Sequence, residues 1–389
     1  MINAIGSDPA DIRSGLLQGV SPGMRAAVEW SNSGGATIVG EITRPIPALP
    51  DAFAEFDCRN NRLLFAVLSQ IRASVDAAIK TYGPARIGVV MGTSTSGISA
   101  GEEALAHHKL HGTFPEGYHY VQQEIGALSE LLAAHLCLQG PSYTLSTACS
   151  SSARAFISAK HLLQAEICDA VIVGGVDTLC RLTLNGFAGL ESLSRGVCNP
   201  SSANRDGINV GEGAALFLLS RERAEVSLLG VGESSDAYHV SAPDPEGRGA
   251  ATAMKNALQD SGLSAGDIGY VNLHGTATRL NDLMEARAVA NIIGCSVPCG
   301  STKPLTGHTL GAAGAVEAAL CWLVLTQRGD MKAPPHLWDG VVDPELSKIR
   351  LAKRGDLLAS PVCLSNSFAF GGNNVSLIFG RTEAFESGS

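Results

Sequence analysis

The run Ala170–Val176 constrains the fold of this chain more than any other segment. Its residues are apolar, without the alternating polar positions of a half-exposed strand, and this pattern is typical of a strand covered on both faces in a parallel sheet. Such strands normally alternate with helices. Helices are predicted over 61–80, 125–138, 250–258 and 311–327, and strands over 86–91, 143–147 and 270–273. The alternation predicts an α/β protein with parallel sheets.

The alternating pattern appears twice. After 221–225 a helix, a strand and a second helix follow, as they do in the first part of the chain. The Gly- and Pro-rich patches are short loops between periodic segments, so no long linker separates the two parts. We therefore expect two related halves, residues 1–225 and 226–389, packed as one body.

Composition limits the classes of function. Hydrophobic residues make up 45% of the chain and charged residues 17%, against a charged share of about 25% in ordinary domains. This balance predicts a large buried interface and hence an oligomer. The net charge of −9 argues against general nucleic-acid binding, but it is compatible with a small basic docking patch.

The cysteines and the apolar stretches indicate a cytoplasmic protein. Ten cysteines at irregular spacings, without a secretory start, favour a reducing compartment over a disulfide framework. Cys295 and Cys299 stand close together, but no second pair or histidine completes a metal site beside them. The helical stretch 311–327 carries Glu317 and would span only about 25 Å. We expect no metal and no membrane span.

Cys149 lies where a strand pattern meets a helix pattern. An apolar segment ends at Cys149, and a helical pattern follows through Gln164 with an apolar face from Ala153 to Leu163. At a helix N-terminus the unpaired backbone N–H groups favour thiolate over thiol. We therefore predict a nucleophile that needs no dedicated base beside it. On the local pattern alone, a buried core thiol is an equal alternative.

Further motifs place polar residues after apolar segments or inside a helix. His274 ends a strand pattern, His308 follows Lys303 by five residues, and Glu317 lies among Ala and Val residues on a helix. A single histidine at a strand end is usually structural, and a buried Glu317 requires a bonded partner. The glycine turn after Phe370 permits close backbone approach. Singly, each of these signals is weak.

Together, in this order and spacing, the motifs resemble those of the β-ketoacyl-[acyl carrier protein] synthases, the elongating condensing enzymes with the thiolase fold. The resemblance implies a five-layered αβαβα body made of two related halves, a dimer whose central sheets continue across the interface, and a Cys-His-His catalytic set. It covers nearly the whole chain. The segments that match are 147–149, 204–213, 236–245, 274–278, 303–308 and 368–372.

The resemblance assigns the catalytic roles. It implies that Cys149 takes the acyl chain from a carrier-bound thioester, with the backbone N–H groups of Cys149 and Phe370 as the oxyanion hole. His274 and His308 would stabilise the enolate that forms when a malonyl thioester loses carbon dioxide. Lys303 is the fourth member of the catalytic set.

Supporting residues follow from the same resemblance. Glu317 matches the partner of the family lysine, and Asp282 matches the aspartate of the family motif Pro-x-Gly-Asp. The resemblance implies no cofactor or metal, because the substrates arrive on the phosphopantetheine arm of acyl carrier protein.

Substrate-binding residues are implied in two segments. Thr276 and Thr278 match positions that contact the phosphopantetheine arm, and strand or turn packing is their alternative role. Phe368 and Phe370 match the flexible turn that gates the acyl pocket.

Two arginines match the carrier-docking surface of the family. Arg59 and Arg62 lie at the start of the predicted helix 61–80, where related enzymes keep basic residues. We expect the acidic acyl carrier protein to dock there, and a solvated helix end is the alternative.

The chain departs from the family pattern at several points. It begins almost inside the loop Asn3–Pro9, so we expect the first sheet strand of the family to be missing. Arg279–Asp282 stands in place of Pro-x-Gly-Asp, Cys198–Ser202 in place of Pro-Phe-Asp, and Asn373 in place of threonine. With these departures, the chain most resembles the ketosynthases of bacterial aryl-polyene clusters. Such enzymes often pair with a chain-length factor that lacks the cysteine, so a heterodimer is as open as a homodimer.

Rival functions fit less well. A biosynthetic thiolase needs a second cysteine in a Cys-x-Gly context, which Cys363 lacks, and the initiating synthases use Cys-His-Asn. A cysteine hydrolase has no use for a second histidine with its lysine. A non-catalytic chain-length-factor-like subunit would discard Cys149. That subunit and a housekeeping fatty-acid synthase are the alternatives that we carry forward.

Overall fold

The computed structural model describes residues 1–30 and 35–385. Within them the strands are β1 Ile2–Asn3, β2 Met24–Ala27, β3 Thr37–Gly40, β4 Ile87–Gly92, β5 Ser142–Leu145, β6 Ala170–Asp177, β7 Gly213–Ser220, β8 Val226–Ser235, β9 Tyr270–Asn272, β10 Pro298–Gly300, β11 Arg350–Leu351, β12 Val362–Phe368 and β13 Asn373–Arg381. The α-helices are α1 Pro9–Gln18, α2 Arg59–Tyr82, α3 Ile98–His111, α4 Ala127–His135, α5 Ser151–Gln164, α6 Arg181–Gly189, α7 Arg248–Ser261, α8 Arg279–Ile292, α9 Lys303–Thr306 and α10 Ala313–Leu325.

The two main sheets repeat one topology. The first has the strand order β1-β7-β6-β4-β5, and the second has β8-β13-β12-β9-β10 with β11 added at its edge. When only the five strands shared by the two sheets are numbered along each half, each order is first, fifth, fourth, second, third. The directions also agree, because the first two neighbouring pairs of each order are antiparallel and the last two pairs are parallel. The predicted boundary at 225/226 lies between β7 and β8, and residues 386–389 of the predicted second half lie outside the described residues.

The sheets and helices form five layers. α2 and α4 pack on the outer face of the first sheet, α7 and α8 pack on the outer face of the second sheet, and α5 and α10 lie between the sheets. β6 shows why its sequence is continuously apolar. Ala170 and Ile172 face the outer core, whereas Val171 and Val173 face the central core, which confirms the prediction of a strand covered on both faces.

The central layer depends on small residues. A Cβ atom added at Gly314 of α10 would lie 2.6 Å from the backbone nitrogen of Ala153 in α5, so only glycine permits this helix contact. The N–H group of Ala315 donates a hydrogen bond to Ser152 Oγ at 2.9 Å. In the part of the chain that the structure describes, no helix is long and apolar enough to span a membrane.

The first strand corrects one expectation. The family's opening strand was expected to be missing, but β1 pairs antiparallel with β7, with Ile2 opposite Ala214 and Asn3 opposite Gly213. It is two residues long, whereas its counterpart β8 has ten. The expectation was wrong because such a short pairing leaves no periodic pattern in the sequence.

Candidate active site

The turn between β5 and α5 holds Cys149 in a constrained position. The preceding residue, Ala148, has φ of 51°, a left-handed conformation that is uncommon outside glycine and is often found at functional sites. The carbonyl oxygen of Ala148 accepts hydrogen bonds from Ser94 Oγ at 3.0 Å and Ser151 Oγ at 2.6 Å. Both side chains therefore fix the turn that carries the sulfur.

His308 lies directly beside that sulfur. Its Nε2 atom is 2.9 Å from Cys149 Sγ. Its backbone N–H donates to the carbonyl oxygen of Asn209 at 2.6 Å, and its own carbonyl oxygen accepts from Gly211 N–H at 2.9 Å. Asn209 and Gly211, which lie just before β7, thus hold the His308 backbone on both sides.

His274 approaches from the end of β9. The carboxylate of Glu285 accepts hydrogen bonds from the backbone N–H groups of His274 and Gly275, both at 2.7 Å. The His274 and His308 rings lie edge to face with centroids 5.3 Å apart. One ligating atom each of Cys149, His274 and His308 lies within 4.8 Å of the others. That spacing could also hold a metal ion, so the expectation of a metal-free site stays a prediction.

A buried ion pair supports the two histidines. Lys303 Nζ donates to Glu317 Oε1 at 2.6 Å and also to the backbone carbonyl of His274. Both charged side chains are nearly inaccessible, at 1% and 3% exposure. Lys303 is thus the bonded partner that a buried Glu317 requires, and it links α10 to the His274 turn. Burial raises the pKa of Glu317, and the adjacent Lys303 charge opposes that rise.

Burial reverses the predicted ionisation of Cys149. The sulfur is desolvated, which raises the pKa of the Cys149 thiol to about 12, and the Lys303 charge and the backbone N–H groups of Cys149 and Phe370 lower it only in part. The predicted thiolate preference is therefore wrong for the free protein. The backbone N–H groups favour the thiolate, but the desolvation of the sulfur is larger. The sulfur was predicted to need no dedicated base beside it, and the structure places His308 there.

Both active-site histidines are neutral. Burial, and secondly the charge of Lys303, hold the pKa values of His274 and His308 well below the ordinary range. Their Nδ1 atoms and Glu317 Oε2 are buried without a hydrogen-bond partner among the described residues. Buried polar atoms are almost always hydrogen-bonded. Among these unpaired atoms, the two imidazole nitrogens belong to residues that line a cavity, so they are available to a bound substrate.

A cavity of about 290 Å³ opens onto this cluster. Thr276 and Thr278 line it, with their hydroxyl oxygens 2.9 Å apart. Phe368 is buried, whereas Phe370 is 38% exposed and contacts Phe187 at a centroid distance of 6.0 Å. The predicted arm-binding and gating residues thus share the cavity with the catalytic set. The roles assigned to them stay predictions.

Asp282 lies outside the cavity wall and braces neighbouring segments. Its carboxylate accepts from Ser201 N–H at 2.9 Å and from Ala277 N–H at 3.2 Å. Glu285, one turn further along α8, was missed by the sequence analysis although it holds the His274 turn. Its spacing from Asp282 was the available signal, since residues three apart share a helix face.

The predicted docking arginines are bonded within the chain. Arg59 pairs with the buried Glu212, and Arg62 forms two hydrogen bonds of 2.6 Å to Asp57. Both line a surface depression of about 450 Å³, which also includes Arg44. The two arginines remain partly exposed, at 38% and 39% of the side chain.

Two sheets of equal topology around a buried Cys-His-His cluster define a thiolase-like condensing enzyme. Family models for the β-ketoacyl synthase N-terminal and C-terminal domains match residues 59–225 and 225–336. The chain belongs to the β-ketoacyl synthase family.

Individual relatives agree with the family. A 3-oxoacyl-[acyl-carrier-protein] synthase 2 of Synechocystis is 31% identical over 97% of this chain and 95% of its own length. One of Rhizobium meliloti is 38% identical over 63% of this chain, a match that spans 62% of that relative. A solved ketosynthase (ApeO) in complex with its chain length factor (ApeC) from Xenorhabdus doucetiae is 49% identical, with a TM-score of 0.95 over 98% of this chain and 96% of that one.

Proposed function

We propose that the chain is a β-ketoacyl-[acyl carrier protein] synthase. It transfers an acyl chain from carrier protein to Cys149 and elongates that chain by decarboxylative Claisen condensation with a malonyl carrier thioester. The observation that carries the proposal is the single cavity lined by Cys149, His274 and His308. A non-catalytic partner subunit would have no use for this cluster.

The first half-reaction is acyl transfer. As the Cys149 sulfur bonds to the thioester carbon, neutral His308 accepts the thiol proton, and the same proton leaves with the departing phosphopantetheine thiol. The backbone N–H groups of Cys149 and Phe370 stabilise the negative oxygen of the tetrahedral intermediate. Burial lowers the pKa of His308, so the ring is unprotonated before acyl transfer begins.

The second half-reaction is condensation. The bond between the malonyl carboxylate and its methylene carbon breaks, carbon dioxide leaves, and the electron pair forms an enolate. Imidazole N–H groups of His274 and His308 stabilise the enolate oxygen. The carbon then attacks the acyl-Cys149 carbonyl, the carbon–sulfur bond breaks, and the sulfur takes up one proton. Because the imidazoles are neutral, they do not act as strongly acidic proton donors that would compete during decarboxylation.

Side chains and backbone N–H groups of the chain supply all of these steps, so we propose a reaction that needs no metal or cofactor beyond the phosphopantetheine arm of the carrier. Lys303 and Glu317 keep the charge near His274 fixed during decarboxylation. We also propose a cytoplasmic location, where acyl carrier proteins supply such substrates. Ten free cysteines, eight of them buried, support this location.

We propose a polyene or polyketide acyl chain, of the aryl-polyene type, as the substrate. The 49% identity to the ketosynthase ApeO and the departures at Arg279–Asp282 and Asn373 support this choice over a housekeeping fatty-acid substrate. The phenylalanines 187, 368 and 370 of the cavity suit a flat conjugated chain. Competition between aryl-polyene and saturated acyl carriers of equal length tests the choice. Equal or higher kcat/KM for the saturated chain would favour the housekeeping alternative.

For the partner we propose a chain-length-factor homologue, with a homodimer as the second candidate. Strand β5 lies at the edge of the first sheet, and the side chains of Leu110, in α3, and Phe114, just after α3, are 80% and 51% exposed. Exposed sheet edges and apolar patches are typical interaction surfaces. Light scattering of the chain alone, and then of the chain co-expressed with its homologue, distinguishes the two assemblies. A chain that is monomeric in both samples would exclude both.

We propose that the carrier protein docks at Arg59 and Arg62. Arg62→Glu is the better variant, because its partner Asp57 is partly exposed whereas replacement of Arg59 would leave Glu212 buried and unpaired. We expect KM for the carrier to rise about fivefold, with kcat unchanged, because the charge acts on encounter. Arg72→Glu, on the same helix and likewise paired, is the matched control. Equal effects of both variants would show that the carrier protein does not dock at Arg62.

Intact mass spectrometry tests the central activity. Wild-type protein mixed with acyl carrier protein should gain the mass of one acyl group, and Cys149→Ala should gain none. We expect the variant to lower the turnover rate by at least about a thousandfold while its Tm changes by less than about 3 °C. A wild-type protein that stays unlabelled would contradict the proposal.

A further inference from the structure

His336 is a buried histidine outside the catalytic cluster. It follows the run Ala333-Pro-Pro335 between α10 and β11, and it is 6% exposed. Both of its ring nitrogens are engaged: Nδ1 accepts from Ser301 N–H at 3.1 Å, and Nε2 lies 2.9 Å from the carbonyl oxygen of Pro200. A backbone N–H can only donate and a carbonyl can only accept. The partners therefore fix a neutral ring that carries its proton on Nε2.

The Nδ1 bond reaches the segments of His274 and Lys303. Ser301 Oγ donates to the carbonyl oxygen of Gly275 at 2.7 Å and accepts from the backbone N–H of Lys303 at 3.3 Å. Gly275 directly follows His274. Ser301 therefore joins the turn that carries His274 to Lys303, the first residue of α9.

The Nε2 bond reaches the segment that braces His308. Two residues before Pro200, the backbone N–H of Cys198 donates to Asn209 Oδ1 at 2.6 Å. The carbonyl oxygen of that same Asn209 accepts the His308 backbone N–H at 2.6 Å. The connection thus runs from His336 to Pro200, along the backbone to Cys198, and through the two hydrogen bonds of Asn209 to His308.

We propose that His336 is a positioning residue, which holds the His274–Lys303 segment and the segment bracing His308 in fixed relation through its two ring nitrogens. The inference rests on the proposed function. Without this bridge the two histidines would still fold into the cavity, but their N–H groups would no longer converge on one enolate oxygen. A misplacement of about 1 Å in such a site can cost up to a hundredfold in rate.

The electrostatic surroundings suit this role. Burial lowers the pKa of His336 to about 4, and the hydrogen bond to Pro200 opposes that change only in part. The ring therefore stays neutral in the pH range in which a condensing enzyme is assayed. A charged ring would turn a second N–H toward the Ser301 N–H and break the bridge.

Three substitutions separate the two bonds. His336→Asn keeps a polar atom near the Nδ1 position, His336→Gln keeps a donor near the Nε2 position, and His336→Leu keeps neither. Leu364→Ala, in the outer core of the second half, is the control for lost stability alone. The measurements are kcat and KM for release of carbon dioxide from malonyl carrier protein, the rate of Cys149 acylation, and Tm.

We expect His336→Leu to lower kcat for condensation on the order of tenfold with KM for malonyl carrier protein within about twofold. His336→Asn and His336→Gln should each recover part of that loss, whereas Leu364→Ala should lower Tm and leave kcat unchanged. Wild-type kcat in all His336 variants would overturn the inference. If His336→Leu does not fold, wild-type kcat in the Asn and Gln variants has the same meaning. A wild-type enzyme without acylation or decarboxylation would instead refute the proposed function.

Discussion

Asp177 in the first half and His274 in the second are buried polar residues at or just after the end of a strand, but their side chains are bonded differently. In the first half, Asp177 ends β6, and its carboxylate accepts bonds of 2.6 to 3.1 Å from Thr93, Ser94 and Thr95. A further bond of 2.9 Å comes from the backbone N–H of Ala312, in the other half. Every face of this carboxylate is occupied.

In the second half, the segments that follow β9 and β10 carry side chains with free atoms. His274 and His308 each keep a buried Nδ1 without a partner among the described residues, and Glu317 keeps one such oxygen. Glu285 and Asn209 fix the backbones of His274 and His308. The comparison separates two uses of a buried polar group in this molecule: Asp177 makes its side-chain bonds within the chain and stabilises the fold, whereas the imidazoles that line the cavity each keep an atom that substrate can meet.

The largest expected effect falls on the stability of the first half. Asp177→Asn replaces one acceptor oxygen by an amide that faces several donors, so we expect the free energy of unfolding to drop by about 3 kcal/mol. Acyl transfer per folded molecule should stay within about threefold of wild type. Urea unfolding and active-site titration measure the two quantities. A stable variant that cannot be acylated would reverse the roles given to the halves.

His274→Ala is the counterpart in the second half. It removes an enolate donor whose side chain makes no hydrogen bond through Nδ1, so we expect condensation to slow about a hundredfold while Cys149 acylation continues. The unfolding free energy should change by about 1 kcal/mol at most. Single-turnover assays of each half-reaction distinguish the steps. Equal losses in both would mean that His274 also acts in acyl transfer.

The pH dependence of stability is the smallest and most specific comparison. Burial lowers the pKa values of His274, His308 and His336, whereas in an unfolded chain histidine titrates near about 6.5. Below that pH the unfolded state binds protons that these folded histidines refuse, so their contribution to stability falls as the pH drops from about 7 to about 5. Burial raises the pKa values of Asp177 and Glu285, the latter to about 7, so these carboxyl groups contribute with the opposite sign, and the contribution of Glu285 lies in the same pH range.

Removal of one histidine should make that slope shallower. Each neutral buried histidine contributes about 1.4 kcal/mol per pH unit, and His336→Leu should reduce the slope by about that amount. Leu364→Ala, which removes no ionisable group, should leave it unchanged between pH 7 and pH 5. Urea titrations at several pH values measure the slopes. An unchanged slope in His336→Leu would show that His336 is charged in the folded protein.

Residues that end a strand or stand in a short motif could be predicted from the sequence. Five residues meet because strand and helix ends approach one cavity, and each is visible in its local pattern. They are Cys149, His274, Lys303, His308 and Glu317. Parallel sheets were also predictable, since β6 carries a continuous apolar run, and the αβαβα layers followed from the family resemblance. The five predicted helices end within a few residues of α2, α4, α5, α7 and α10, whereas the other five α-helices of the described residues were not predicted.

Features that depend on distant segments could not be predicted. The bond of His308 to Asn209 and that of His336 to Pro200 join residues about a hundred or more positions apart, and no local pattern marks them. The predicted thiolate at Cys149 failed for the same reason. Helix position is a local property, whereas the desolvation that raises its pKa comes from the packing of both halves.

The most direct test of the account is a single turnover of enzyme already acylated at Cys149. Malonyl carrier protein is added, and released carbon dioxide and extended carrier thioester are quantified together. The account predicts one carbon dioxide and one 3-oxoacyl carrier thioester for each acyl group lost from Cys149, with the thiol restored. Loss of the acyl group as free acid, or release of carbon dioxide without a longer chain, would contradict it.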